Sequence, residues 1–199
     1  MERRLVAGLV LVFLATAACG SPGSTPSTGP GSPGAGSLTG SSLPTASPAP
    51  TPSPSHASGS LTCSLPINRA GTAAGAKQAH PSAVLIGRHT DYDRIVFEYS
   101  GTLVPSLRIA TVHPPFTKDP SGLPMTVAGS SFVQIRLEGV QAGYSGRTSF
   151  AVHYPELVQL ARQGDNEAVQ SWIAGLAKPA CVRLSLLKSP IRLVIDLQH

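Results

Sequence analysis

Chemistry in this sequence could come from His80, His89, His113 and His153, from the serines of Gly129-Ser130-Ser131-Phe132, and from three cysteines. A charged group at Arg88, Asp91, Asp93 and Arg94 is a further source. The histidines would be bases or metal ligands, yet none has the HExxH or HxxEH spacing that sets paired ligands on one ion. They read as solvated loop residues, and no metal or cofactor is expected. Ser130 or Ser131 would be a nucleophile, but the glycine that follows the serine in a GxSxG elbow is missing. A serine hydrolase is therefore disfavoured. Arg88, Asp91 and Arg94 surround a turn and are candidate ligand-binding residues for a polar peptide or sugar. Tyr144 and Trp172 are candidate platforms for a sugar ring, although a single Trp beside Ile173 and Leu176 also fits a core position.

The cysteines divide by their surroundings. Glu2, Arg3 and Arg4 precede an apolar run from Leu5 to Ala15, and Thr16, Ala17 and Ala18 lead to Cys19. A charged start, a short apolar run and a small-residue cleavage site are the parts of a secretory signal, here residues 1–18. The run is shorter than the ~20 apolar residues a membrane-spanning helix needs. The residues before Cys19 resemble a bacterial lipobox, with Thr16 standing where Leu is usual, and this makes Cys19 the lipidation site. In an exported, oxidising compartment Cys63 and Cys181 then remain as a pair and are expected to form a disulfide. Neither has a CxxC partner or a nearby His that would favour a metal or a reactive thiol.

Between Gly20 and Ser60 every residue except Leu38, Leu43 and His56 is Ser, Gly, Pro, Thr or Ala, and none is charged. Such a stretch cannot bury enough apolar surface to offset ordering its backbone. Residues 19–60 read as a tether whose span, as a flexible coil, would be roughly 35 Å, with the Pro48 to Pro54 part stiffer. Residues 61–199 form one domain with 13 Lys/Arg against 9 Asp/Glu, net +4. That diffuse charge suits anionic surfaces better than nucleic acid, which is not expected as a partner.

Ser82 to Gly87, Tyr92 to Tyr99, Leu107 to Val112, Ser131 to Glu138 and Ile191 to Leu197 are short, rich in Val, Ile and aromatics, and separated by turn residues. This predicts an all-β domain, a sandwich of two sheets built from short antiparallel strands. Asp119-Pro120-Ser121-Gly122 has the residue order of a type I turn and should join two strands. From Tyr154 to Leu176 the apolar spacing favours helix, with a short helix over Pro155 to Gln163 and a second after Asp165. Arg94-Ile95-Val96-Phe97-Glu98 and Arg192-Leu193-Val194-Ile195-Asp196 repeat one pattern, with the larger apolar residues on one strand face. Antiparallel pairing with Val96 near Val194 sets Arg94 against Asp196 and Glu98 against Arg192, whereas parallel pairing in register opposes like charges.

With these residues in view, the chain resembles the AMIN-like domain of actinobacterial envelope lipoproteins, related to the AMIN domains of N-acetylmuramoyl-L-alanine amidases. The resemblance runs from about Val84 to Leu197. It rests on Gly87-Arg88-His89 leading into Asp93 to Tyr99, on Gly129 to Val133, on Gly164-Asp165-Asn166-Glu167 before Trp172 to Leu176, and on Ser189 to Asp196. Asn166 stands where the family's acidic motif has an aromatic. The resemblance implies a two-sheet β fold, strands rather than helix between Tyr154 and Leu176, and no catalytic residues. It also implies peptidoglycan or a wall-associated protein as partner. The expected function is therefore a non-catalytic binding or localisation module, lipid-anchored on the outer face of the membrane. A small secreted hydrolase with a dispersed active site is the alternative.

Overall fold

The computed structural model describes residues 59–73 and 77–199; the stretch read as a signal segment, Cys19 and nearly all of the stretch read as a tether lie outside them. Thirteen strands occur in the described residues: β1 (Leu61–Thr62), β2 (Ile67–Arg69), β3 (His80–Arg88), β4 (Tyr92–Ser100), β5 (Ser106–Thr111), β6 (Phe116–Thr117), β7 (Pro124–Met125), β8 (Ser131–Glu138), β9 (Ser149–Ala151), β10 (Leu157–Asn166), β11 (Val169–Leu176), β12 (Val182–Leu187) and β13 (Ile191–Gln198). They form an all-β sandwich. One sheet has the order β1-β12-β13-β4-β3, the other β2-β5-β8-β11-β10-β9, and β6 with β7 forms a separate hairpin.

The five strands legible in the sequence are all present, and β4 pairs antiparallel with β13 in the register that the charges select. Val96 faces Val194, Arg94 faces Asp196 and Glu98 faces Arg192. Ile95, Phe97, Leu193 and Ile195 of that pair point into the main core. On the opposite face Arg94 donates to Asp196 through Nε at 2.6 Å and Nη2 at 3.0 Å. The two-pronged geometry suits a guanidinium and a carboxylate. Glu98 accepts the Ser82 hydroxyl instead of closing a second pair with Arg192.

The core is centred on Trp172, which is fully buried and surrounded by Phe97, Tyr144 and Phe150 at ring-centroid distances of 5.7, 6.3 and 6.5 Å. Such tilted and edge-on pairs are the favoured arrangement of aromatic quadrupoles. The Trp172 indole N–H donates to Gln170 Oε1, so its one polar atom is satisfied.

Between Tyr154 and Leu176, where the apolar spacing favours helices over Pro155 to Gln163 and after Asp165 and the family resemblance implies strands, the structure has strands, β10 and β11. Two features give these strands a helix-like spacing. Register shifts between Leu157 and Gln159 and between Arg162 and Gly164 break the alternation of β10. The second is burial on both faces: Trp172 and Ala174 of β11 belong to the main core, while Ile173 joins Ala161, Phe116 and Val127 in a smaller one on the other side. That smaller core is roofed by residues 112–127, a flap built on the β6–β7 hairpin. Its tip carries the turn read from Asp119-Pro120-Ser121-Gly122. The turn joins two strands as expected, but it is closed by Gly122 N–H to the Lys118 carbonyl, one residue wider than type I.

The β10–β11 turn places Glu167 and Ala168 at φ 51° and 59°. Both are left-handed, the conformation that a two-residue hairpin of primed type needs and that non-glycine residues disfavour. Replacing Glu167-Ala168 by Asn-Gly should raise unfolding stability by about 1 kcal/mol. Urea denaturation should show a higher midpoint at unchanged slope; a lower midpoint would mean that Glu167 makes a compensating contact.

Cys63 and Cys181 are disulfide-bonded with Cα atoms 4.1 Å apart. The bond closes a separation of 118 residues, for which chain entropy allows about 4 to 5 kcal/mol. Reduction should lower the unfolding midpoint, and Cys63→Ala with Cys181→Ala should match the reduced protein.

Candidate functional site

At the end of the sandwich where the disulfide lies, β5 finishes at Thr111, β8 begins at Ser131 and β11 finishes at Leu176. The chain leaves β5 into the flap and returns along β11, where Ser130 donates its N–H to the Leu176 carbonyl at 2.8 Å. Backbone approaches backbone here so closely that a Cβ on Gly175 would clash with the Ala128 carbonyl oxygen. A side chain at Gly175 would push the flap away from the sheet.

Between the flap base, the disulfide and the β11–β12 loop lies a cavity of about 730 Å³. Leu65, Pro114, Phe132, Val133 and Pro179 supply apolar walls; His113, Ser130, Ser131 and Lys178 supply the polar groups. This composition suits an amphiphilic ligand whose apolar part lies against the walls and whose anionic group meets the Lys178 ammonium. Ser130 and Ser131 share the cavity with His113, but among the described residues no hydrogen bond joins a serine to that imidazole. Nor do the described residues contain three His, Cys, Asp or Glu placed to hold a metal ion.

Behind Lys178 lies a buried acid pair. Asp93 accepts the Glu156 and Leu157 N–H groups on Oδ2 at 2.7 and 2.8 Å, which fixes the start of β10 against β4. Its Oδ1 lies 3.2 Å from His199 Nε2. Glu156 is fully buried; Oε1 takes the Lys178 N–H at 3.4 Å and Oε2 lies 4.0 Å from Lys178 Nζ without a hydrogen bond. Burial pushes the Glu156 carboxyl above the ordinary carboxylate value, and the Lys178 N–H and ammonium partly offset this.

The residues singled out from the sequence do not converge. Arg88 and Asp91 lie at the β3–β4 turn, at the disulfide end of the molecule. The Asp91 carbonyl accepts the His199 N–H and the Gln198 side-chain amide, at 3.1 and 2.7 Å. Arg94 is engaged with Asp196 and lies over the Tyr92 ring. The Tyr144 hydroxyl accepts the Val84 N–H at 3.1 Å, midway along the edge strand β3. Trp172 offers no surface to a ligand, because the core encloses it completely. Nothing in the sequence alone singles out Lys178, the cation of the cavity. The one signal near it is Lys178-Pro179-Ala180-Cys181, a proline in the β11–β12 loop beside a cross-linked cysteine.

The direction of the Glu156 shift fixes a pH dependence. Below the ordinary carboxylate value Glu156 is neutral in both folded and unfolded chains, so it costs nothing. As pH rises from there towards the raised native value, the unfolded chain releases its proton first and stability falls; above the native value the loss is complete. Glu156→Gln should remove this part of the decline, so its stability relative to wild type should increase from pH 4 to pH 7. Parallel pH profiles in urea denaturation would show that the carboxyl is not the source.

Residues 79–199 match the AMIN-like domain family. No curated protein and no solved structure shows significant similarity to the chain. The family match takes in the β4–β13 pair, the β8–β11–β10 platform and the Lys178 side of the cavity, and the chain belongs to the AMIN-like domain family.

Proposed function

We propose that this protein is a membrane-tethered, non-catalytic binding module of the bacterial envelope, and that peptidoglycan or a wall-associated protein is its partner. The observation that carries the reading is the cavity at the disulfide end, in a domain of the AMIN-like family. Its apolar walls and single ammonium suit a short peptide of small side chains ending in a carboxylate, such as a wall stem peptide. The rest of the reading comes from the sequence. Acylation at Cys19 would hold the chain at the membrane, and two or three acyl chains hold far more firmly than one. The residues up to Ser60 would give the domain tens of ångströms of reach.

The full-length lipoprotein in detergent should co-sediment with purified sacculi. Lys178→Ala should reduce retention per folded molecule several-fold, and Lys178→Ala with Glu156→Gln should do the same while relieving the buried carboxyl that the ammonium faces. Added salt should weaken retention by screening the ammonium. Cys19→Ala should move the protein from the detergent phase to the aqueous phase. Failure to sediment at low salt, together with turnover of a muropeptide or an ester, would overturn the reading in favour of a hydrolase.

A further inference from the structure

The flap has a second polar surface, at its tip. Three clefts of about 300, 280 and 330 Å³ border the β6–β7 hairpin, and Lys118 lines all of them. The first and second also share Asp119 and Gln163; the second and third share Thr148 and Arg162. They form a continuous track around the tip, across the outer face of β8, β11 and β10.

The side chains of the track are held in place from behind. Gln163 Oε1 accepts the Gln134 amide at 2.6 Å while its Nε2 donates to the Thr117 carbonyl at 3.1 Å. Arg162 donates to Asp165 Oδ2 at 2.8 Å and to the Tyr144 carbonyl at 3.0 Å. Asp165 Oδ1 is buried without a hydrogen-bond partner. Lys118 makes no ion pair among the described residues, so its ammonium remains a donor.

The geometry points to a binding track for a neutral, N-acylated polysaccharide. The cations Arg136 and Arg162 are matched by Glu138 and Asp165 at 2.9 and 2.8 Å, and Asp119 adjoins Lys118. A polyanion therefore gains little, whereas paired amides, hydroxyls and carboxylates suit the vicinal hydroxyls of a sugar. The first two clefts offer no apolar subsite for the side chains of a peptide. The third has Met125 and Ala161 beside Thr148, Ser149 and Gln159, a small apolar floor within polar walls that fits an acyl methyl and its amide. No aromatic side chain lines the track among the described residues, so the sugars would be held edge-on by hydrogen bonds. This inference rests on the envelope-binding reading and gives the glycan a place apart from the cavity at the flap base.

The test uses the folded protein and a β-1,4-linked N-acetylglucosamine hexamer, with binding followed by calorimetry and by amide shifts in NMR. Binding should perturb residues 117–122, 148 and 162–165. Thr148→Trp, which fills the second and third clefts, should weaken hexamer binding at least tenfold. Ser121→Trp, at an exposed tip position, should do the same even if Thr148→Trp folds poorly. Lys178→Ala should leave hexamer binding unchanged, which separates this site from the cavity. No hexamer binding, with sacculus retention still dependent on Lys178, would overturn the track and leave the proposed function standing. Shifts in the track caused by a sugar-free stem peptide would overturn it in favour of a peptide.

Discussion

Strand β11 is covered on both faces, and the rest of the structure depends on that. Its inward side chains, Trp172, Ala174 and Leu176, close the main core, and its outward Ile173 requires a second cover. An antiparallel sheet normally leaves one face to water. Here Ile173 and Ala161 would be an exposed apolar strip, and burying it is what gives the 112–127 excursion a reason to fold. Phe116, Met125 and Val127 come down on that strip, with Phe132 edge-on to Phe116 at 5.1 Å. The hydrogen bonds from Asp119 N–H to the Gln163 carbonyl and from Ala128 N–H to Gln159 then fix the flap's direction.

The places where a ligand can be received follow from this arrangement. A small roof on a larger sheet covers the strip and leaves clefts around its margin. At its base the margin meets the disulfide and the β11–β12 loop, and the cleft is large and partly apolar. At its tip the margin meets the Gln, Ser, Thr and Arg side chains of the outer sheet face, and the clefts are small and polar. The two chemistries come from one element. The outer face of the opposite sheet carries the Arg94–Asp196 pair, which aligns two strands.

The same two-sided burial explains which parts of the fold were legible in the sequence. Strands β3, β4, β5 and β8 face the main core with one side and alternate enough to be read, and β13, though buried from Leu193 to Leu197, still alternates apolar and polar residue types except at Val194. The β4–β13 register was legible because Arg94, Glu98, Arg192 and Asp196 allow only one pairing without like charges opposed. In contrast, β11 buries Gln170 to Leu176 in succession, so period two vanishes, and the register shifts in β10 leave Leu157, Leu160 and Ala161 at helical spacing. The turn between them lacks the Asn-Gly signature, since Glu167 and Ala168 adopt the left-handed conformation without it. Of the candidate site residues, Arg94 and Trp172 carry fold chemistry, which a single sequence does not separate from ligand chemistry. Lys178 is not legible in the sequence because a lone lysine acquires meaning only from the cavity it faces.

The disulfide adds a mechanical constraint at the N-terminal edge of the described domain. Only Leu61 and Thr62 of β1 pair with β12, and two pairs at a sheet edge resist little when the chain is pulled from its N-terminal side. Peeling would next reach Leu65 and Ile67, which pack on the main core, and Leu65 also walls the cavity. The covalent link from Cys63 to Cys181 intervenes before that point and passes the load to β12, which pairs with β13 over six residues. Hydrogen bonds at an edge can be undone one by one, while this bond yields only to reduction. In the proposed tethered arrangement, tension from the N-terminal side would end at Cys63, ahead of the Leu65 wall of the cavity.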